Sequence, residues 1–142
     1  MPLTYRIFAD RGLVVVLYFG FSTIDELMAA SQAYVADPDY APGQKQLVDL
    51  THVTGFEKDY VRFMEMQAAK ADRLAGTGVQ SLAVYVAPTP VAREVASLFT
   101  RSWAEVPSVV TMMQHTEAEA LALLGQPEKS IDEMLRATGH QS

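Results

Sequence analysis

The 142-residue sequence contains no cysteine, which excludes disulfides, thiolate metal sites and cysteine nucleophiles together. Positive charge is also sparse: 11 Lys and Arg stand against 17 Asp and Glu, for a net charge of −6. With no basic run of five residues, that balance argues against a surface built to grip phosphate backbones. No nucleic-acid partner is expected. Long apolar runs are missing as well. The longest, residues 13–19, falls far short of the ~20 residues that span a bilayer. Residues 1–6 lack the basic-then-apolar layout of a signal peptide. No membrane span is expected, and a soluble cytoplasmic protein is the default.

What is present is a one-domain length of chain in which 49% of residues are apolar, enough to bury a single core without staples. Residues 4–9 are β-prone, Asp10-Arg11-Gly12 supplies turn chemistry, and residues 13–20 form a second, strongly apolar strand. That pattern predicts a hairpin with a three-residue connection. Thr23-Ile24-Asp25-Glu26 is a capping box, opening a helix whose inner face carries Ile24, Leu27, Met28, Ser31, Tyr34 and Val35 at helical spacing. Asp37-Pro38 stops it.

A short buried strand is predicted over residues 46–50, followed by a loop over residues 51–57 and a helix over residues 58–75 that ends at Gly76 and Gly78. Val61, Met64, Ala68, Ala71 and Ala75 form the predicted core stripe of that helix, with Tyr60, Phe63 and Met66 on its flank. Residues 80–87 read as a strand and residues 91–105 as a helix ended by Pro107. Residues 108–113 read as the last strand, and Thr116-Glu117-Ala118-Glu119 as a second capping box opening a helix that stops at Gly125. Residues 126–142 form a tail with one further short docking helix through Ile131, Met134 and Leu135. Alternating strands and helices predict an α/β domain over residues 1–125, with a mixed sheet of about five strands and about four helices. Crossovers of one hand put all connecting helices on one sheet face. The strands are apolar on both faces, so a homodimer partner or the C-terminal tail is expected to cover the other.

The segment Leu47-Val48-Asp49-Leu50-Thr51-His52-Val53-Thr54, with that element order around it, resembles the STAS-type domains, the fold of bacterial anti-sigma-factor antagonists. The resemblance covers roughly residues 4–125. In that family an Asp-Ser-Ser/Thr-Gly motif follows, and its hydroxyl is phosphorylated by a partner kinase. Here the chain reads Glu57-Lys58-Asp59-Tyr60, so no hydroxyl stands at that position and phospho-switching by that route is not carried over. Asp59 reads as a favourable first-turn carboxylate; a standing charge in place of a phosphate is the competing reading. The chain is closer still to a divergent group of small STAS-like bacterial proteins similar in fold to the lipid-carrying CRAL-TRIO domains. That likeness implies a small non-catalytic module, one able to hold an apolar ligand.

Ligands of open α/β sheets gather at the C-terminal ends of the strands. That edge should collect Phe21 and Ser22, Thr51, His52 and Thr54, Pro88 and Thr89, and His115 and Thr116. The candidate binding residues are Thr51, His52, Thr54, Phe56, Lys58, Asp59, Tyr60, Phe63 and His115. No catalytic residue, metal ligand or cofactor is assigned. His52, Asp49 and Ser108 do not make a hydrolytic triad, because no serine follows a strand in a nucleophile elbow. Gly76-Thr77-Gly78 follows a helix, the reverse of a phosphate cradle. Two functions follow: an interaction or regulatory module centred on residues 51–59, or a carrier or sensor of a small apolar molecule held between the helices containing residues 60–66 and 91–103.

Overall fold

The computed structural model describes residues 3–74, 80–104, 106 and 108–137. Five strands lie in sequence order: β1 (Leu3–Phe8), β2 (Leu13–Ser22), β3 (Lys45–Phe56), β4 (Ser81–Val86) and β5 (Val109–Gln114). β1 is antiparallel to β2 and the other neighbours are parallel. The helices are α1 (Ile24–Ala36), α2 (Tyr60–Leu74), α3 (Pro90–Ser102), α4 (Glu117–Leu123) and α5 (Ile131–Ala137). The fold is the expected α/β mixed sheet. The glycine and proline stops predicted at Gly76, Gly78 and Pro107, the turn through Thr77, and Ala75 lie outside the described residues.

The hairpin turns through a single 3₁₀ turn, Ala9–Arg11, and Gly12 takes the left-handed conformation at φ 61°, which an L side chain adopts only with strain. The Thr23 capping box is present in both directions, and Glu57 Oε1 accepts from the Ile24 amide at 2.9 Å. Thr89 caps α3 by accepting from the Ala92 amide at 3.1 Å, with Pro90 in the first turn. Proline is favoured there because its missing N–H has no intrahelical partner to lose. The Thr116 hydroxyl likewise accepts from the Glu119 amide.

Two layers of core lie on the two sheet faces. On one, α1, α2 and α3 pack over Tyr18, Val48, Leu50, Ala83 and Tyr85, as crossovers of one hand require. On the other, α4 and α5 pack Leu121, Leu124, Ile131 and Met134 over Leu13, Val15, Leu47, Val84 and Val86. The face that called for a cover from outside the strand–helix repeats is covered within the chain. A two-pronged ion pair fastens this second layer. The Arg11 guanidinium, on the hairpin turn, donates to both Glu128 carboxylate oxygens at 2.9 and 3.0 Å and to Gln126 Oε1 at 2.9 Å. The guanidinium holds Glu128 below its usual range against the opposing effect of burial. At the start of α5, Glu117 Oε1 accepts from the Ile131 amide and the Ser130 hydroxyl accepts from the Glu133 amide.

Two expectations are corrected. The strand predicted over residues 46–50 runs on to Phe56, so residues 51–56 are strand rather than loop. Against β2, β3 carries one extra residue between Asp49 and His52 and another between Val53 and Gly55. Each bulge breaks the two-residue alternation by which a strand is read, and the Asp49 carboxylate pins the first by accepting from the Thr51 amide and hydroxyl at 3.0 and 2.5 Å. The second correction concerns α2. Its buried stripe is Phe63, Met66 and Gln67, whereas Val61 and Met64 are 73% and 44% exposed and Ala68 is exposed. Phe63 stacks against Phe99 and meets Phe56 edge-on, both at 5.5 Å between ring centroids. One ring locked into an aromatic cluster outweighs several exposed methyl groups.

Candidate functional site

The candidate binding residues do not converge. Thr51 bonds to Asp49, and Thr54 is exposed on the β3 ribbon. The exposed His52 ring stacks on Phe19 of β2 at 5.8 Å, while exposed His115 follows β5, with β4 lying between their strands. Phe56 and Phe63 are core. Asp59 caps α2 by accepting from the Arg62 amide at 3.2 Å. Phe56, Lys58 and Tyr60 border a recess of only about 30 Å³ with Glu94, Leu98 and Arg101. Among the described residues, no group of three His, Asp or Glu side chains could hold a metal ion.

The space lies elsewhere. A cavity of about 340 Å³ sits on the three-helix face, over the first halves of the parallel strands. Its origin is in the local sequence. Successive strand residues point to opposite faces, so Val16 and Tyr18 of β2, Val48 of β3, and Ala83 and Tyr85 of β4 turn together toward the helices and form the floor. Leu27, Ala30 and Tyr34 of α1 make one wall; Gln67 of α2, Phe99 of α3 and Trp103 at the end of α3 make the other. Small side chains stand at Ala30, Ala41 and Ala83 where larger ones would close the gap. The expected apolar pocket between α2 and α3 is thus displaced: α2 and α3 supply one wall, and α1 the opposite one.

The rim is built by residues 37–44. Tyr34 and Tyr40 meet edge-on at 4.8 Å, and Tyr5 meets Tyr34 at 5.7 Å. The Tyr34 hydroxyl donates to Gln44 Oε1 at 2.5 Å, and Gln44 Nε2 donates to the Asp39 carbonyl at 2.9 Å. The Tyr5 hydroxyl donates to Asp37 at 3.1 Å, tying β1 to the end of α1.

Five of the six tyrosines of the chain, and its one tryptophan, line this cavity. Phe99 lies between the floor tyrosines, 5.9 Å from the Tyr18 ring and 5.8 Å from that of Tyr85. Burial pushes the Tyr18 hydroxyl far above its ordinary range, with the neighbouring Tyr85 adding to the shift, and burial does the same to Tyr85. Both are therefore uncharged hydrogen-bond donors at any physiological pH. Neither hydroxyl is hydrogen-bonded to another described residue. Gln67 is buried, its Nε2 donates to Ser102 Oγ at 2.8 Å, and its Oε1 has no partner. Among the described residues, no Asp, Glu, Lys, Arg or His lines the cavity.

Recurrent tyrosine, an apolar body with a polar tip, was the available sequence signal, but the six are spread over about 80 residues, and only the folded chain brings five of them together, three from strands, one from α1 and one from the rim. The cavity can exclude water from an apolar molecule and offer it a few hydrogen bonds.

No family model matches the chain, and no curated protein matches it. Among solved structures the chain is similar to the anti-sigma factor antagonist SpoIIAA in its unphosphorylated form, with a TM-score of 0.48 and 15% sequence identity, over 87% of this chain and 97% of that one.

Proposed function

We propose that this protein is a non-catalytic carrier or sensor that binds a small apolar molecule in the cavity between α1, α3 and the sheet. The observation that carries this reading is the cavity itself: about 340 Å³ of space walled by aliphatic and aromatic side chains, with no ionisable side chain but tyrosine among the described residues that line it. Interiors are otherwise packed as densely as organic crystals, and small-molecule sites are concave, mostly apolar and furnished with a few polar groups. Native mass spectrometry of protein purified without denaturation, before and after solvent extraction, tests it. A small molecule retained before extraction and lost afterwards supports the carrier. Loss of nothing, together with no response of Trp103 fluorescence to added apolar alcohols, removes it.

A second reading, an interaction or regulatory module acting as a homodimer or on another protein, is favoured by a different surface. Phe19 and Phe21 are 40% and 56% exposed beside His52, at the far end of the β2–β3 ribbon. Apolar rings grouped on a surface mark contact sites. Light-scattering mass across a concentration series, for the native chain and Phe21→Ser, checks it: a dimer that the substitution dissociates supports this reading, and two identical monomers argue against a homodimer through this patch.

A further inference from the structure

The groups inside the cavity also define the chemistry of what fits. We propose that the occupant is electrically neutral, with one polar end that accepts hydrogen bonds from the Tyr18 and Tyr85 hydroxyls and donates one to Gln67 Oε1; this rests on the cavity being a binding site.

Three observations lead there. The first is the orientation of Gln67. An amide side chain can usually be turned end for end without changing its shape. Here the turn is decided by Ser102, whose hydroxyl proton is committed to the Phe99 carbonyl at 2.6 Å. Its oxygen is left to accept, so the nearer Gln67 atom must be the Nε2 donor at 2.8 Å. The atom without a partner is then the carbonyl oxygen, an acceptor in a residue only 3% exposed. A buried acceptor without a donor is costly, and a ligand hydroxyl or amide N–H removes that cost.

The second observation is the pair of floor tyrosines. Burial keeps both hydroxyls protonated, so they present donors to an incoming oxygen. One hydroxyl or primary amide group on a ligand supplies both complements at once, accepting from the tyrosines and donating to Gln67.

The third observation concerns charge. Among the described residues, no Lys, Arg or His lines the cavity to neutralise a carboxylate, and no Asp or Glu to neutralise an amine. The helix ends add to this. The cavity is lined by the final turns of α1, through Tyr34 and Val35, and by the end of α3, through Phe99 and Trp103. Helix C-termini carry partial negative charge, which opposes an anion. At interior packing density, about 340 Å³ admits roughly 250 Å³ of ligand van der Waals volume, on the order of a dozen non-hydrogen atoms. An apolar alcohol or amide of that size satisfies every constraint, and a fatty-acid anion does not.

The test uses three probes on the full-length protein, read by fluorescence of Trp103 and by native mass: 1-decanol, its isomer 1-methoxynonane, which accepts but does not donate, and decanoate at pH 8. Decanol should bind about tenfold or more tightly than decanoate, because a carboxylate would be buried unpaired. It should bind about fivefold more tightly than the ether, the usual net worth of one hydrogen bond. Tyr18→Phe and Tyr85→Phe keep ring and volume, and each should weaken decanol by about fivefold. Decanoate binding as tightly as decanol overturns the neutral assignment, and tyrosine variants that hold decanol like the native chain overturn the polar contacts. In both of those cases the cavity still binds and the carrier reading stands. If none of the three binds, both fall.

Discussion

Replacing Ala30 with leucine should stabilise the protein and abolish binding in one step, because the same empty space governs both. Ala30 lies inside α1, is partly buried against the three-helix core and lines the cavity. Leucine adds three carbons, worth about 0.8 kcal/mol each when buried. Against a gross gain of about 2.4 kcal/mol stand roughly 0.5–1 kcal/mol for ordering the side chain and a small loss of helix propensity, about 0.2 kcal/mol. The expected net is about 1–2 kcal/mol. With an unfolding entropy of ~2.1 cal/mol/K per residue over 142 residues, each kcal/mol moves Tm by about 3 °C. Ala30→Leu should therefore raise Tm by about 3–7 °C in calorimetry of ligand-free protein. The same side chain takes up volume on one wall, so the affinity for 1-decanol should fall at least about tenfold. Overpacking a filled core costs about 1–3 kcal/mol instead. A lower Tm, or unchanged decanol binding, would refute the reasoning that the gap is real and is the site.

Other consequences follow from the contacts that frame the site. Glu128→Gln should cost about 1.5–3 kcal/mol at neutral pH by weakening the bidentate pair with Arg11, and hydrogen exchange should quicken in α5, which that pair fastens to the hairpin. The sign with pH is set by the depressed pKa of Glu128: its contribution is fully present above the ordinary carboxylate value and is lost as the pH falls through the lower folded one. Urea midpoints of the two proteins should therefore converge under acid. Thr23→Ala removes one half of the α1 capping box and should lower stability by about 1 kcal/mol in urea unfolding, with decanol affinity unchanged because Thr23 lies at the opposite end of α1 from the rim. Phe99→Ala should cost about 3–5 kcal/mol by the same assay, since Phe99 meets Tyr18, Phe56, Phe63 and Tyr85 at once.

The sequence made most of the fold legible wherever a local rule was also the global one. The hairpin through Gly12, the Thr23 capping box and the alternating strands of β4 and β5 needed no tertiary information. Legibility failed where side chains at a distance decide. On α2, Gln67 interrupts an apolar stripe and so hides the true inner face; it is buried because Ser102, 35 residues away, receives its amide. On β3, two bulges throw the alternation out of phase, and a strand of twelve residues reads as one of five. Ser130 and Glu133 announce the start of α5 by the same spacing that marked α1, yet so short a segment is recognisable as a helix only once α4 and the sheet bury Ile131 and Met134.

The site was the least legible part, and the reason is physical. Sequence patterns show which side chains avoid water, but a cavity is a deficit of volume between them. The expectation that ligands gather at the C-terminal strand ends rests on helix N-termini there offering free amides. In this chain at least one of those amides is already taken at each helix: Thr23 and Glu57 cap α1, Asp59 caps α2, Thr89 caps α3 and Thr116 caps α4. The deficit opens instead toward the other end of the strands, where α1 and α3 finish, with Ala30 and Ala83 both lining it. A site at helix N-termini with free amides would select anions. One built at helix C-termini from phenols and amides has, among the described residues, no charged side chain to balance an ion, and that difference in location is what makes neutrality of the proposed occupant the decisive property to measure.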